Sequence, residues 1–293
     1  MTTAVARRTL SAYVALTKPR IIELLLVTTV PTMIVAHGGM PAVWLVLATL
    51  VGGSLAAGGA NATNMYVDRD IDSLMERTKR RPLVTGAVTP RNALIFAVAL
   101  EVLAAVWLWT VVNPLSALLA LSATLFYVFV YTLLLNRTSR QNIVIGGAAG
   151  AVPVLVGWAA VTGSLGIAPF VLFTIIFLWT PPHFWALAVR YRDDYEAAHV
   201  PMLPVVATFD ATARRIVAYT LGLWAASLAF HPLADMGPLY LAAAVGLGAV
   251  FTWKAVQLAR SGTYEKAMGL FRYSISYISL LFGAMALDQL LLR

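Results

Sequence analysis

Nine apolar stretches of roughly span length run through this chain, at residues 20–37, 41–65, 91–112, 114–134, 141–162, 166–189, 212–231, 237–258 and 269–290. A helix of about 20 mostly apolar residues matches the hydrocarbon thickness of a bilayer. Inside hydrocarbon, only helices and closed barrels satisfy their own backbone polar groups. The connections are short, and Gly38-Gly39, Asn113-Pro114, Thr162-Gly163 and His231-Pro232 punctuate several of them, as turn-forming pairs do. No connection is long enough for a soluble domain. Residues 1–293 therefore read as one membrane-embedded domain, an all-α polytopic protein with nine transmembrane helices around a central cavity. Arg7 and Arg8 ahead of the first span imitate the start of a signal peptide, but eight more spans follow.

Composition closes off several function classes. Sixty per cent of residues are hydrophobic and 12% charged, which excludes an ordinary soluble enzyme. The absence of cysteine excludes thiolate nucleophiles, disulfides, iron–sulfur clusters and cysteine-ligated zinc. A net charge of +8 in a soluble protein would raise nucleic acid. Here it reports topology, because Lys and Arg collect on the cytoplasmic side of membrane proteins, and no nucleic-acid partner is expected.

The positions of those charges test the span assignment. Odd–even alternation puts the N-terminus and every second loop on one side. That side holds Arg7, Arg8, Lys18 and Arg20; Arg69, Arg77, Lys79, Arg80, Arg81 and Arg91; Arg137 and Arg140; Arg190, Arg192, Arg214 and Arg215; and Lys254, Arg260, Lys266 and Arg272. Only Arg293, of the 21 basic residues, falls opposite. One missed span would scramble this segregation. The N-terminus and the charged loops are thus expected in the cytoplasm, at a bacterial cytoplasmic membrane or an organellar inner membrane.

Acidic residues gather on the same side. The second span ends in Asn64, Asp68 and Asp72, which share one face if the helix continues. Carboxylates about 6 Å apart at an effective dielectric of about 20 repel by roughly 3 kcal/mol, so the row is costly unless a cation offsets it. Mg²⁺ takes one or two carboxylates together with phosphate oxygens. The basic run Arg77-Thr78-Lys79-Arg80-Arg81-Pro82 follows directly; such side chains grip the remaining phosphate oxygens. Taken alone, the run would be ordinary cytoplasmic loop charge.

A second acidic cluster, Asp193-Asp194, follows the sixth span. An even number of spans separates the two, so both meet the same aqueous face, in the manner of a weak parallel repeat. Aligning Asp194 with Asp72 puts Arg190 at the place of Asp68. Two facing acidic loops would make a two-metal diphosphate clamp. His183, after Pro181 and Pro182, ends that span; the prolines break the helix ladder there. His183 is either a packing residue or a pocket group serving as base, acceptor-orienting group or iron ligand. Glu101, at the centre of the third span, is functional, paired or protonated. Glu23 is expected to pair locally with Arg20. Small residues fill one face of the second span (Gly52, Gly53, Ala56, Ala57, Gly58, Gly59, Ala60) and the Gly146-x-x-x-Gly150 stretch of the fifth. Close helix packing is the first reading, and a backbone lining a cavity for a bulky ligand the second.

These residues resemble the intramembrane UbiA-type prenyltransferases. The resemblance rests on N-x-x-x-D-x-x-x-D at Asn64, Asp68 and Asp72, R-T-x-R-R-P-L from Arg77 to Leu83, the nine spans and the second acidic loop. Within that superfamily, T-K-P-R at Thr17–Arg20, P-P-H-F-W-A-L at Pro181–Leu187 and D-D-Y followed by P-M-L-P at Pro201–Pro204 resemble the subfamily that farnesylates protohaem. Many superfamily members carry Asp where His183 and Arg190 stand, so only Asp193 and Asp194 carry over from a second aspartate motif. The resemblance implies farnesyl diphosphate and haem B as substrates, the lipid bilayer as surroundings and a downstream haem-modifying enzyme as a partner. It implies Mg²⁺ held by Asn64, Asp68, Asp72, Asp193 and Asp194, and diphosphate binding by Arg77, Lys79 and Arg81. It gives Asp68, Asp72 and His183 catalytic roles. A prenyltransferase acting on a phenol or quinone precursor would share the diphosphate site. A transporter is the third reading, with charges marking a path across the membrane.

Overall fold

The computed structural model describes the backbone of residues 3–292 and, apart from residues 3–8, 21 and 24–26, their side chains. Arg293 and the side chains of Arg7 and Arg8, counted above for topology, lie outside the described residues. Every described element is a helix. In chain order they are α1 (Thr3–Leu16), α2 (Pro19–His37), α3 (Val43–Val67), α4 (Arg69–Leu74), α5 (Pro90–Val112), α6 (Pro114–Leu135), α7 (Asn142–Thr162), α8 (Ile167–Arg190), α9 (Arg192–Ala197), α10 (Leu203–Val206), α11 (Phe209–Leu233), α12 (Pro238–Ser261) and α13 (Ala267–Leu291). Among the described residues, α3, α5, α6, α7, α8, α11, α12 and α13 are the eight long and apolar enough to cross a membrane. The ninth expected span is α2, in which Val27–His37 forms a shorter apolar stretch. The helices α1, α4, α9 and α10 have no counterpart among the expected spans.

Local chemistry sets the ends. Gly38 takes φ 74° and sends its N–H back to Ile34 and Val35, closing α2; glycine enters this left-handed region without penalty. Asn113 caps α6 by accepting the Ser116 N–H at 2.8 Å, and Pro114 follows at the first helical position, where its missing N–H costs nothing. Two proline sites depart from expectation. Pro181 and Pro182 do not end α8, which runs on to Arg190, and Pro232 lies inside the last turn of α11. A proline removes one ladder bond and frees a carbonyl, but packed neighbours make this tolerable within a membrane helix.

The long helices close into a ring. α3 packs along α5, α6 along α7, α7 along α8, α8 along α11, α11 along α12 and α12 along α13, while α2 closes the ring by packing on both α7 and α13. The largest cluster of buried side chains fills the α8–α11–α12–α13 half, with Leu172, Ile175, Phe230, Tyr240, Phe251 and Tyr277 at its centre. On the other side smaller clusters seal the helix contacts, among them Ala56, Ala104, Leu108 and Val156. A cavity of about 550 Å³ lies between α2, α3, α6, α7, α8 and α13.

Both readings of the small-residue faces hold: on α3 they fall on different sides of the helix, and on α7 Gly146 and Gly150 both line the cavity. A Cβ on Gly59 would meet Glu101 and the Ala97 carbonyl of α5 at 2.6 and 2.9 Å, so this side of α3 is a packing seam. Gly53, Ala56, Ala57 and Ala60 line the cavity. On α7, Gly146 lies against the Tyr131 ring, whereas nothing stands within 4 Å of a Cβ on Gly150.

Candidate active site

At the mouth of the cavity, α3 ends at Val67 and α4 begins at Arg69, yet the i→i−4 register survives the join. The Asp68 N–H bonds to the Asn64 carbonyl and the Asp72 N–H to the Asp68 carbonyl, both at 2.9 Å. Asn64, Asp68 and Asp72 therefore share one face as expected, and all three are buried and line the cavity.

Their partners fix their orientation. Lys18 Nζ donates to Asn64 Oδ1 at 2.8 Å. Because an ammonium only donates, the Asn64 amide must point its nitrogen the other way. It donates to Asp68 Oδ2 at 2.8 Å and to Thr132 at 3.2 Å. Asp68 Oδ2 also accepts from Asn136 at 3.0 Å, and Oδ1 faces Arg137 at 3.4 Å. Desolvation, and then the Asp72 charge, raise the Asp68 carboxyl above the usual range, while Arg137 and Lys18 act against the rise. Burial, with the Arg81 charge next, pushes the Lys18 ammonium down to about 7. Lys18 holds φ 52°, an uncommon region for a residue with a side chain; strain of this kind collects at functional sites. Arg137 clasps Asp70 with two bonds of 2.7 Å, which holds that exposed carboxyl down at about 2.

The basic run divides. Arg77 and Arg81 line the cavity, and Arg81 binds both oxygens of Asp72. Lys79 does not line it; its exposed ammonium pairs with Glu76 at 2.6 Å. The Thr78 hydroxyl between them bonds the Asp72 carbonyl at 2.9 Å, and Lys79 lies beyond it on the exposed side of the loop. Lys18 stands inside the mouth instead. The T-K-P-R stretch is the sequence signal for it, although a lysine ahead of a span reads first as topology.

The second acidic loop reaches the first, as the span parity required. The Arg77 N–H donates to Asp194 Oδ2 at 3.1 Å, and the Arg77 guanidinium lies 5.5 Å from the Tyr191 ring. Met75, Ala198, Val200 and Met202 pack with Ile143 and Ala188 beneath. Asp193 is exposed, and neither it nor Asp194 lines the cavity. Among the described residues, no three His, Asp or Glu side chains are grouped to share one metal. The loops meet through Arg77 and Asp194 rather than through a common acidic ligand set. Arg190 is exposed, and Glu23 makes no ion pair with Arg20 among the described residues.

Deeper in, α6 is π-helical from Phe126 to Leu135, a geometry frequent at functional sites. Its wider turn stacks Tyr127 on Tyr131 with centroids 5.2 Å apart, and both line the cavity. Across from them, α8 and α13 present aromatic rings. Trp179 stacks on His183 at 4.3 Å, Phe271 tilts over it at 4.7 Å, and Phe184 meets it edge-on at 5.1 Å. His183 is buried and lines the cavity. Glu101 does not line it; it accepts the Thr124 hydroxyl at 3.3 Å between α3 and α6. The arrangement is a mouth of carboxylates and cations over an apolar chamber, suited to an amphiphile with a polyanionic head.

Known proteins share these features. The sequence pattern of the UbiA prenyltransferase family matches residues 25–281. A protoheme IX farnesyltransferase of Clavibacter michiganensis is 55% identical over 99% of this chain and 95% of its own length. A structure of digeranylgeranylglyceryl phosphate synthase superimposes with a TM-score of 0.80 at 16% identity, covering 96% of this chain and 98% of that one. A UbiA homologue from Archaeoglobus fulgidus, solved with DMAPP and Mg²⁺, gives 0.59 at 18% identity over 92% and 99%.

Proposed function

Because the chain belongs to the UbiA prenyltransferase family, we propose that it transfers the farnesyl group of farnesyl diphosphate to a vinyl group of protohaem IX, giving haem O and diphosphate. One observation carries the reading. The buried Asn64–Asp68–Asp72 face, flanked by Lys18, Arg77 and Arg81, opens onto a chamber lined by Trp179, His183, Phe184 and Phe271.

The donor set fits Mg²⁺. Two buried carboxylates, with no third acidic side chain grouped with them among the described residues, suit an ion that takes its other ligands from phosphate and water. Asp68 and Asp72 would hold it, with Asn64 and Asn136 orienting Asp68. When bound, the ion neutralises charge on the leaving diphosphate. Lys18, Arg77 and Arg81 hold the remaining diphosphate oxygens and stabilise the charge that grows on them. Asp194, through its bond to the Arg77 backbone, fixes the loop that carries these groups.

The allylic C–O bond breaks and its electron pair leaves on the diphosphate. The vinyl π pair of the porphyrin then forms the new C–C bond to the farnesyl C1. The cation left on the former vinyl carbon takes water and releases a proton, which yields the hydroxyethylfarnesyl substituent. The Tyr127 and Tyr131 rings line the chamber in which the allylic cation forms, and aromatic faces attract cations.

The test is the product mass after purified protein is mixed with Mg²⁺, farnesyl diphosphate and haem B. Haem O is the expected product. No haem product, together with prenylation of a phenolic or quinone-precursor acceptor, would overturn the acceptor assignment while leaving the diphosphate chemistry in place.

A further inference from the structure

Ser274 of α13 holds two rings of α8 with two different atoms. Its backbone carbonyl accepts the Trp179 indole N–H at 2.7 Å, and its Oγ lies 2.6 Å from His183 Nδ1. We propose that Ser274 is a positioning residue that locks His183 in the tautomer with a bare Nε2, and that this nitrogen is the axial ligand to the iron of the acceptor porphyrin. The proposal rests on protohaem being the acceptor.

The argument follows one proton. Ser274 Oγ is also 2.6 Å from the Phe271 carbonyl. A hydroxyl has a single proton, and a carbonyl can only accept. With both short bonds made, the serine proton goes to Phe271, and Oγ is left to accept. Nδ1 must then be the donor, which leaves the lone pair on Nε2. If Ser274 donated to Nδ1 instead, the Phe271 bond would be lost and an Nε2–H, useless to a metal, would face outward. Ser274 is fully buried, so water does not compete for these bonds.

The ring is also held in plane, between Trp179 at 4.3 Å and Phe271 at 4.7 Å. Nε2 has a route to the substrate. Among the described residues no hydrogen bond occupies it, and His183 lines the cavity. A metal-binding histidine generally passes its other N–H to a fixed acceptor, which sets the tautomer and the ring orientation. The His183–Ser274 pair has that form, and histidine is a common axial ligand of haem.

The experiment titrates haem B, ferric and ferrous, into detergent-purified wild type and the Ser274→Ala, Ser274→Cys and His183→Ala variants. Soret absorbance gives affinity, and resonance Raman of the ferrous form gives the iron–histidine stretch. Farnesyl diphosphate binding by each variant serves as the folding control. The wild type should show histidine-ligated haem, and His183→Ala should lose that signature. Ser274→Ala should weaken haem binding about tenfold or more and shift the iron–histidine stretch, with farnesyl diphosphate binding unchanged. Ser274→Cys keeps the volume with a weaker partner, and tests the same point where the alanine variant does not fold. Wild-type affinity and stretch in the Ser274 variants, with ligation lost in His183→Ala, would remove Ser274 and leave His183. An unchanged spectrum in His183→Ala would remove the ligation itself. A wild type that binds no haem would remove the acceptor reading on which both depend.

Discussion

Arg81 Nη1 lies 2.7 Å from Oδ1 and 2.6 Å from Oδ2 of Asp72, across the mouth of the cavity. The two residues are each other's counter-ions as long as nothing else is present. A cation on Asp72 and a diphosphate beside Arg81 would exchange that one pair for two, so neither charge is stranded at any stage. Leaving one partner of a buried pair alone is the costly arrangement.

Arg81→Ala should therefore lower kcat/KM with farnesyl diphosphate by about 10²–10³-fold, the usual loss for one donor to a developing oxyanion. Arg81→Lys should recover only part of this, since lysine offers a point charge rather than a planar fork. Steady-state kinetics on both variants check it. Full activity in Arg81→Lys would mean that charge alone suffices.

The carboxylates give a separate test. Asp68→Ala and Asp72→Ala should abolish turnover while the protein still inserts and purifies, because what is lost is cation binding rather than packing. EDTA should reproduce the loss in the wild type and added Mg²⁺ should reverse it. Isothermal titration with Mg²⁺ in the presence of a non-hydrolysable diphosphate analogue should show binding in the wild type and none in either variant. Chelator-insensitive turnover would sink the metal.

Much of this was legible in the sequence for simple reasons. The spans follow from hydrocarbon thickness, and the Asn64–Asp68–Asp72 face follows from a period that the α3–α4 join does not disturb. The basic run was harder to read, because Arg77, Lys79 and Arg81 look equivalent until the fold puts Lys79 on the exposed side of the loop. Lys18 was hidden in the opposite sense: a lysine at the start of a span reads as topology, and only tertiary contact with Asn64 shows it inside the site. Tyr127 and Tyr131 sit in an apolar run with no charged residue to mark it, and a π-helical turn does not follow the α-helical period.

Topology can be read independently. Reporter fusions after Arg81, Arg140 and Arg192 should report the cytoplasm, and fusions at Gly39, Gly163 and Asp235 the opposite side. Since Arg77 touches Asp194, the loops carrying Arg81 and Arg192 must agree with each other in any orientation. Disagreement between those two would contradict the fold rather than its direction.

Gly146 and Gly150 share one sequence motif and should respond in opposite ways. A Cβ on Gly146 would run into the Tyr131 ring, while one on Gly150 meets open cavity. Gly146→Ala should cost about 1–3 kcal/mol through overpacking, or displace Tyr131 and reduce turnover. Gly150→Ala should leave thermal stability close to wild type. Thermal unfolding of both variants in the same detergent decides it, and an equal loss would mean the motif acts through helix packing alone.

Glu101 supplies the last prediction, because its position invites a functional role that its contacts do not support. A charged carboxylate at the centre of a span costs about 2.5–3.5 kcal/mol on insertion scales, so it should be paired, protonated or used. Here it packs against Gly59, where a Cβ would stand 2.6 Å from its Oε1, and it accepts the Thr124 hydroxyl at 3.3 Å. It does not line the cavity, and no cation pairs with it among the described residues. Glutamine has the same shape and still offers Thr124 an acceptor. Glu101→Gln should keep turnover within about twofold, since no transition-state contact is removed. Glu101→Ala should leave a void beside Gly59 and cost about 1–3 kcal/mol of stability. Activity and unfolding measured on the two variants separate packing from chemistry. A drop of more than about tenfold in the glutamine variant, equivalent to roughly 1.4 kcal/mol, with stability unchanged, would show that the ionisable proton matters and would return Glu101 to the mechanism.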